Sequence, residues 1–402
     1  MMFLQYFTMG AIMPIMSLYL KDCLHYSGSQ VGMVLAMSAL AAFVSPVIGA
    51  VIADRLISAE RLLTICHLLA AVAILVLLHV QQFVWVLLVY LVYSVSRGPS
   101  VALTNSITFH HHPDGQGHFG NVRVWGTIGW IVVAWAFGYV WLNQWGRGPS
   151  MDQIPDALKL SALSSLVLGF YALTLPRVPH LTSHRPKHIF PVDALRLVLQ
   201  PRILLLAGLA LLIGTVDRYY YFGMAPYLRH LGFSDAAIMP TMSVGQMTEV
   251  FAMFGLSTLL ARIGFKYVLV IGLLAELWRF ATLAWAGPAW LTLSGVACHG
   301  IAYPCVFTAI YIYIDGHCNK QSRTGLHQLF ALLTWGLGSL IANLLAGTCL
   351  DMFVTKAEVP DYFTFWLIPG LISFVCLVAI GLVFKNDAVA AVQREQRDPP
   401  NT

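Results

Sequence analysis

The sequence predicts an all-α membrane protein of twelve transmembrane helices in two six-helix bundles. Three observations lead there. The 402 residues are 58% hydrophobic and only 10% charged, whereas a soluble chain carries about 25% charged residues. The chain breaks at Gly, Pro and charge into twelve apolar runs, each near the roughly 20 residues a membrane-spanning helix needs. The one long polar interruption, RVPHLTSHRPKHIFPVDALRLV at 177–198, follows the sixth run.

In order, the runs cover roughly 2–20, 30–53, 61–79, 83–107, 121–142, 158–176, 199–228, 236–262, 266–286, 288–314, 325–350 and 362–385. The first has no basic leader and no small-residue cleavage site before Lys21, so it reads as a span and not a secretory signal. The expected organisation is an N-terminal bundle at 1–176, a central cytoplasmic loop at 177–198, a C-terminal bundle at 199–386 and a cytoplasmic tail at 387–402. Topology follows from lysine and arginine. With both termini in the cytoplasm, the inside loops hold fourteen of them, from Arg55 and Arg61 to Arg394 and Arg397. The opposite side holds five: Lys21, Arg147, Lys159, Arg229 and Lys356. Basic loops stay on the cytoplasmic side.

Composition also excludes classes of function. An ordinary cytosolic enzyme does not fit a mean hydropathy of +0.74. The net charge of +5 is spread among short loops, so nucleic-acid binding is not indicated. The seven cysteines are odd in number, scattered and without a CxxC, and read as small buried hydrophobes. His110-His111-His112 sits in a short juxtamembrane loop without matching acidic or Cys partners, so no metal and no cofactor are expected.

The informative residues are the ionisable ones inside apolar runs: Arg97, Arg123, Asp217, Arg218, Glu249, Glu276 and Arg279. Each costs about 2.5–3.5 kcal/mol at the centre of a bilayer unless it pairs or meets water. A polar pathway needs such groups; a passive anchor does not. On the fifth run, Arg123, Thr127 and Trp130 are spaced i, i+4, i+7 and share one helical face. On the eighth, Gln246 and Glu249 are spaced i, i+3 near the middle. The seventh holds Asp217-Arg218 followed by three tyrosines, Tyr219 to Tyr221. Adjacent residues point about 100° apart on a helix, so Asp217 and Arg218 need not pair with each other. The tenth puts His299 and Tyr303 on one face. Glu276 and Arg279, i and i+3 in the ninth, suit a structural ion pair.

Several segments carry a family resemblance. The turn Ala53-Asp54-Arg55 resembles, in degenerate form, the loop motif of the major facilitator superfamily, and Asp54 and Arg55 are accordingly read as structural. PSVALTNSI (99–107), RVWGTIGW (123–130), LTLPRVP (173–179), SVGQMTEV (243–250) and HGIAY (299–303) occur in order and in the matching spans. Together they resemble the nucleoside:proton symporter family of that superfamily, over nearly the whole chain. The resemblance implies the major facilitator fold and a non-enzymatic carrier, multi-pass in a cytoplasmic membrane and monomeric. It would import nucleosides with protons by alternating access.

It also implies roles for particular residues. Positions matching Arg123 and Thr127 contact substrate. Those matching Gln246 and Glu249 bind nucleoside, the acid bonding ribose hydroxyls. Polar base-binding residues fall in the Arg218–Tyr221 stretch, with the register open by one position. An aromatic matches Tyr303, and His299 one turn earlier is a candidate for the base. A nucleoside needs a stacking face for the base, donors and acceptors for the sugar, and a dry surround. The expected ligand thus binds between Arg123/Thr127 and Gln246/Glu249. Where the family carries an aspartate after the aromatic, this chain has Pro304, leaving Glu249 and Asp217 as candidates for proton coupling. The rival readings are a facilitative nucleoside uniporter, a carrier of a sugar or nucleobase, and a non-transporting membrane sensor.

Overall fold

The structure is a computed structural model that describes residues 1–48, 57–111, 119–145, 153–177, 197–318, 320–355 and 359–385. Asp54, Arg55 and His112, nearly all of the central loop and the C-terminal tail lie outside those residues. Ten helical stretches are long and apolar enough to cross a membrane among the described residues. They are α1 (Met2–Cys23), α2 (Gly28–Ser45, its helix running to Ile48), α3 (Ala59–Leu77), α4 (Phe83–His111), α5 (Val122–Asn143), α7 (Pro201–His230), a pair within Asp235–Trp285, α10 (Ala289–Gly316), α11 (Gly325–Met352) and α12 (Tyr362–Val383).

Two details bring this to the twelve expected runs. Asp156–Ala172, here α6, is a helix of 17 residues. The stretch Asp235–Trp285 is two helices, α8 (235–263) and α9 (265–285), broken at Gly264 with φ 79° and ψ 171°. A residue with a side chain rarely adopts that conformation, and glycine does so freely. The turn therefore sits where LLARIGFKYV interrupts the hydropathy.

The chain forms two compact units, each described on its own. The first comprises Met1–Arg185, Tyr219–Ser243 and Ser339–Met352. In it α1 packs on α5 and α6, and α3 packs on α4 and α6. Helix α2 lies along the final turns of α11, where Gly32 and Gly347 approach so closely that a Cβ on either would strike opposing backbone. Such small-residue crossings bring helices into van der Waals contact in a bilayer. At the same end, Asp351 accepts from the backbone N–H of Gly28 (2.6 Å) and Ser29 (2.7 Å) and from Ser29 Oγ (2.6 Å). It thereby caps the start of α2, where unsatisfied N–H groups and the helix dipole favour an anion. Arg229 pairs with Asp22 at 2.6 Å and also with Asp235. A buried polar set crosses this unit's interior. Gln5 Nε2 donates to Ser100 Oγ (2.8 Å), and Gln5 Oε1 accepts from His67 Nε2 (2.9 Å).

The second unit comprises Pro186–Arg218, Val244–Gly338 and Phe353–Thr402. Its apolar core gathers Ile203, Leu206 and Ile213 of α7, Leu269 and Leu273 of α9, Val306 and Ile310 of α10 and Ile380 of α12. Phe280 of α9 lies 6.0 Å from Trp366 of α12, ring centre to ring centre. At Pro304 the winding of α10 widens to a π turn over Pro304–Thr308. Proline lacks the N–H that the regular ladder requires, and an inserted π turn absorbs the missing bond.

Candidate functional site

Each unit brings its own set of polar and aromatic groups together. In the first unit, α5 carries Arg123, Thr127 and Trp130. The guanidinium of Arg123 lies over the ring of Tyr6 on α1, 4.0 Å from its centre. Such stacking steadies a cation in the membrane, an arrangement worth up to about 2 kcal/mol when desolvated. Arg123 and Thr127 are half-buried, and Trp130 is buried against Gly10 of α1. Tyr6 was not anticipated. It lies over a hundred residues from Arg123, and its run carries no periodic signal apart from hydrophobicity.

In the second unit, Gln246 is buried and Glu249 half-buried on α8. Helix α8 crosses α10 very closely. A Cβ on Gly300 would collide with Thr248 Oγ1 and with the backbone of Gly245 and Glu249, and Thr248 Oγ1 donates to Ala297 O at 2.7 Å. The Gln246–Glu249 turn is therefore fixed directly against the His299–Tyr303 turn. Tyr303 belongs to an aromatic group with Phe307 (5.1 Å) and Trp335 of α11 (6.4 Å, stacked), and Phe307 stacks on Trp335 at 5.4 Å. Arg218 extends this group, its guanidinium 4.8 Å from the Trp335 ring centre. Trp335 and Phe307 were also missed by sequence reading, because apolar context makes them look like ordinary core.

Asp217 and Arg218 do pair, which the helical angles had left open. Arg218 Nη2 lies 2.9 Å and Nε 3.1 Å from Asp217 Oδ2. The long arginine side chain folds back along its own helix, which the 100° offset does not prevent. The pair expected from spacing at Glu276 and Arg279 forms at 2.6 Å and is fully buried. Arg279 also reaches out of its helix to His299, its Nη1 2.7 Å from His299 Nδ1. His299 itself is buried. Tyr221 lies in the first unit and is half-buried, with its ring 5.4 Å from that of Tyr220.

Apolar helices that hold arginine, glutamate and glutamine within their runs are those of a multi-pass membrane transporter, and the fold is the major facilitator fold. The chain belongs to the nucleoside H+ symporter family, whose description residues 1–388 match. Similar proteins in Escherichia coli (strain K12) include the putative nucleoside transporter YegT, 30% identical over 99% of this chain and 96% of its own length, and the xanthosine permease, 28% identical over 96% and 95%. Among solved structures, the nucleoside transporter NupG has a TM-score of 0.83 at 23% identity, covering 96% of this chain and 98% of that one. A D-xylose–proton symporter has a TM-score of 0.75 at 11% identity, covering 96% and 97%. Both are similar in fold.

Proposed function

We propose that this chain imports nucleosides across a cytoplasmic membrane, coupled to protons, by alternating access, with both termini in the cytoplasm and the chain acting as a monomer. The match of residues 1–388 to the nucleoside H+ symporter family carries the reading, and names of relatives such as the xanthosine permease agree with it. The twelve-helix layout supports two six-span halves, 1–176 and 199–386, as the moving parts, with substrate handled near the midplane.

Both sets of groups act on one nucleoside during the cycle. Arg123 and Thr127 supply donors and Trp130 an aromatic face. In the second unit, Gln246 and Glu249 take the ribose hydroxyls and Arg218 and Tyr303 address the base, with Tyr221 of the first unit as a further base contact. Glu249 supports the assignment because it is a carboxyl group only half-buried midway along an apolar helix, where a purely structural acid would be sealed within the protein. Its hydrogen bonds to a ribose diol count for more in such a dry setting than in water. His299, buried and engaged by Arg279, stands outside this contact set.

The test is uptake of radiolabelled nucleosides into proteoliposomes, with and without an inward proton gradient, in competition with free ribose and free bases. Intact nucleosides should compete, and the gradient should drive accumulation above equilibrium. Equal inhibition by ribose or by bases alone would reassign the cargo. Transport indifferent to the gradient would make the chain a uniporter.

A further inference from the structure

Five ionisable side chains from three helices form one cluster in the second unit. They are Asp217 and Arg218 on α7, Glu276 and Arg279 on α9, and His299 on α10. The nitrogen Nδ1 of His299 has two neighbours in it. Arg279 Nη1 stands 2.7 Å away. Asp217 Oδ1 stands 3.7 Å away, is buried and receives no hydrogen bond among the described residues.

The chemistry of these groups fixes the direction of the short contact. A guanidinium has five N–H donors and no acceptor. The bond from Arg279 therefore uses a lone pair on Nδ1, and His299 in this structure carries no proton there. A proton arriving at Nδ1 abolishes that bond, since two N–H groups would face each other. The new N–H then has one anionic acceptor close by, the unused Oδ1 of Asp217. One nitrogen thus has two alternative partners, selected by a single proton.

We propose that His299 is the proton carrier of this transporter, with Nδ1 accepting from Arg279 when unprotonated and donating to Asp217 when protonated. An N–H bond forms at Nδ1 as the O–H bond of a hydronium ion on the outer side breaks, and the proton returns to water on the inner side. No other bond changes. This rests on the reading of the chain as a nucleoside symporter.

The surrounding charges suit the role. His299 is faced by Asp217 and Arg218 from α7, Arg279 from α9 and Tyr303 from its own helix, while Glu276 pairs with Arg279 and lies with it near Cys298. Cys376 of α12 adjoins Glu276. From α8, Gly245 packs on the imidazole, with Glu249 one turn further along. In the apolar helices of this unit three carboxyl groups, Asp217, Glu249 and Glu276, accompany two guanidiniums, Arg218 and Arg279, so a proton on His299 adds no surplus of cations. The link to the ligand runs through Asp217. A cation at its Oδ1 loosens its hold on Arg218 at Oδ2. Arg218, whose side chain is 21% exposed, is then released to donate to a nucleoside beside Trp335. Proton and nucleoside thereby bind better together than apart, and linkage makes the effect reciprocal.

The experiment compares wild type, His299→Gln and Asp217→Asn in proteoliposomes. It reads gradient-driven accumulation, counterflow of labelled against unlabelled nucleoside at equal pH, and nucleoside Kd from pH 5.5 to 8.5. The first substitution keeps an acceptor for Arg279 but removes the group that takes the proton; the second keeps an acceptor for Arg218 but removes the anion that holds the protonated ring. The expected result is that both variants lose accumulation above equilibrium and show a Kd that no longer tightens as the pH falls, while His299→Gln, which lies outside the nucleoside contacts, retains counterflow within about two-fold. Accumulation or a pH-dependent Kd persisting in His299→Gln overturns the proposal. So does loss of counterflow in both variants, which would make the cluster structural. If wild type itself shows neither counterflow nor binding, the nucleoside reading has failed, and this inference falls with it.

Discussion

Two buried histidines in this chain stand in contrasting surroundings. His67, in the first unit, donates from Nε2 to the amide oxygen of Gln5, which in turn donates to Ser100. These partners are neutral, and the charged side chain that acts on it is the cation Arg97. His299, in the second unit, accepts from a guanidinium and has a carboxylate oxygen within reach of the same nitrogen. The first arrangement offers one set of hydrogen bonds. The second has two. Burial and residue type are alike; the partners decide whether a histidine is a fixed strut or a proton site.

The largest effect should come from breaking the charged cluster. Arg279→Met leaves the Glu276 carboxylate buried without its cation, at a cost of about 3–5 kcal/mol. The variant should show a strongly lowered melting temperature in detergent, and Glu276→Gln combined with it should recover part of the loss. No recovery would mean that Arg279 acts through other contacts. Gln5→Met, in the uncharged set, should cost less, about 1–3 kcal/mol, because it strands the His67 N–H without a charge imbalance. If Gln5→Met proves as damaging as Arg279→Met, the contrast between the two regions is lost. Smaller again is Arg123→Lys. An ammonium stacks less well than the planar guanidinium on Tyr6, so nucleoside Kd should rise by roughly five-fold, about 1 kcal/mol, with accumulation still gradient-driven. Glu249→Gln should weaken binding likewise while leaving the response to pH in place. Driven accumulation lost only in Glu249→Gln would move the proton from His299 to Glu249.

Much of the fold was legible because a bilayer imposes a blunt rule: a spanning segment must be apolar over some twenty residues. Hydropathy thus marked α1 to α12, and even the break at Gly264 lay at a visible interruption. Within one helix spacing was informative too: it anticipated the pair of Glu276 with Arg279. What stayed hidden were contacts between distant segments. Tyr6 beneath Arg123, Trp335 beneath Arg218 and the reach of Arg279 to His299 depend on helix crossings that no local pattern encodes. The Asp217–Arg218 pair was left open for another reason. Helical angles describe where a side chain starts, and arginine is long enough to end elsewhere.

The most direct measurement records nucleoside uptake and external pH together, in vesicles bearing wild type, His67→Gln or His299→Gln. Wild type and His67→Gln should both alkalinise the medium as nucleoside enters, whereas His299→Gln should pass nucleoside down its gradient with no pH change. Alkalinisation that persists in His299→Gln, or vanishes in His67→Gln alone, would contradict the account.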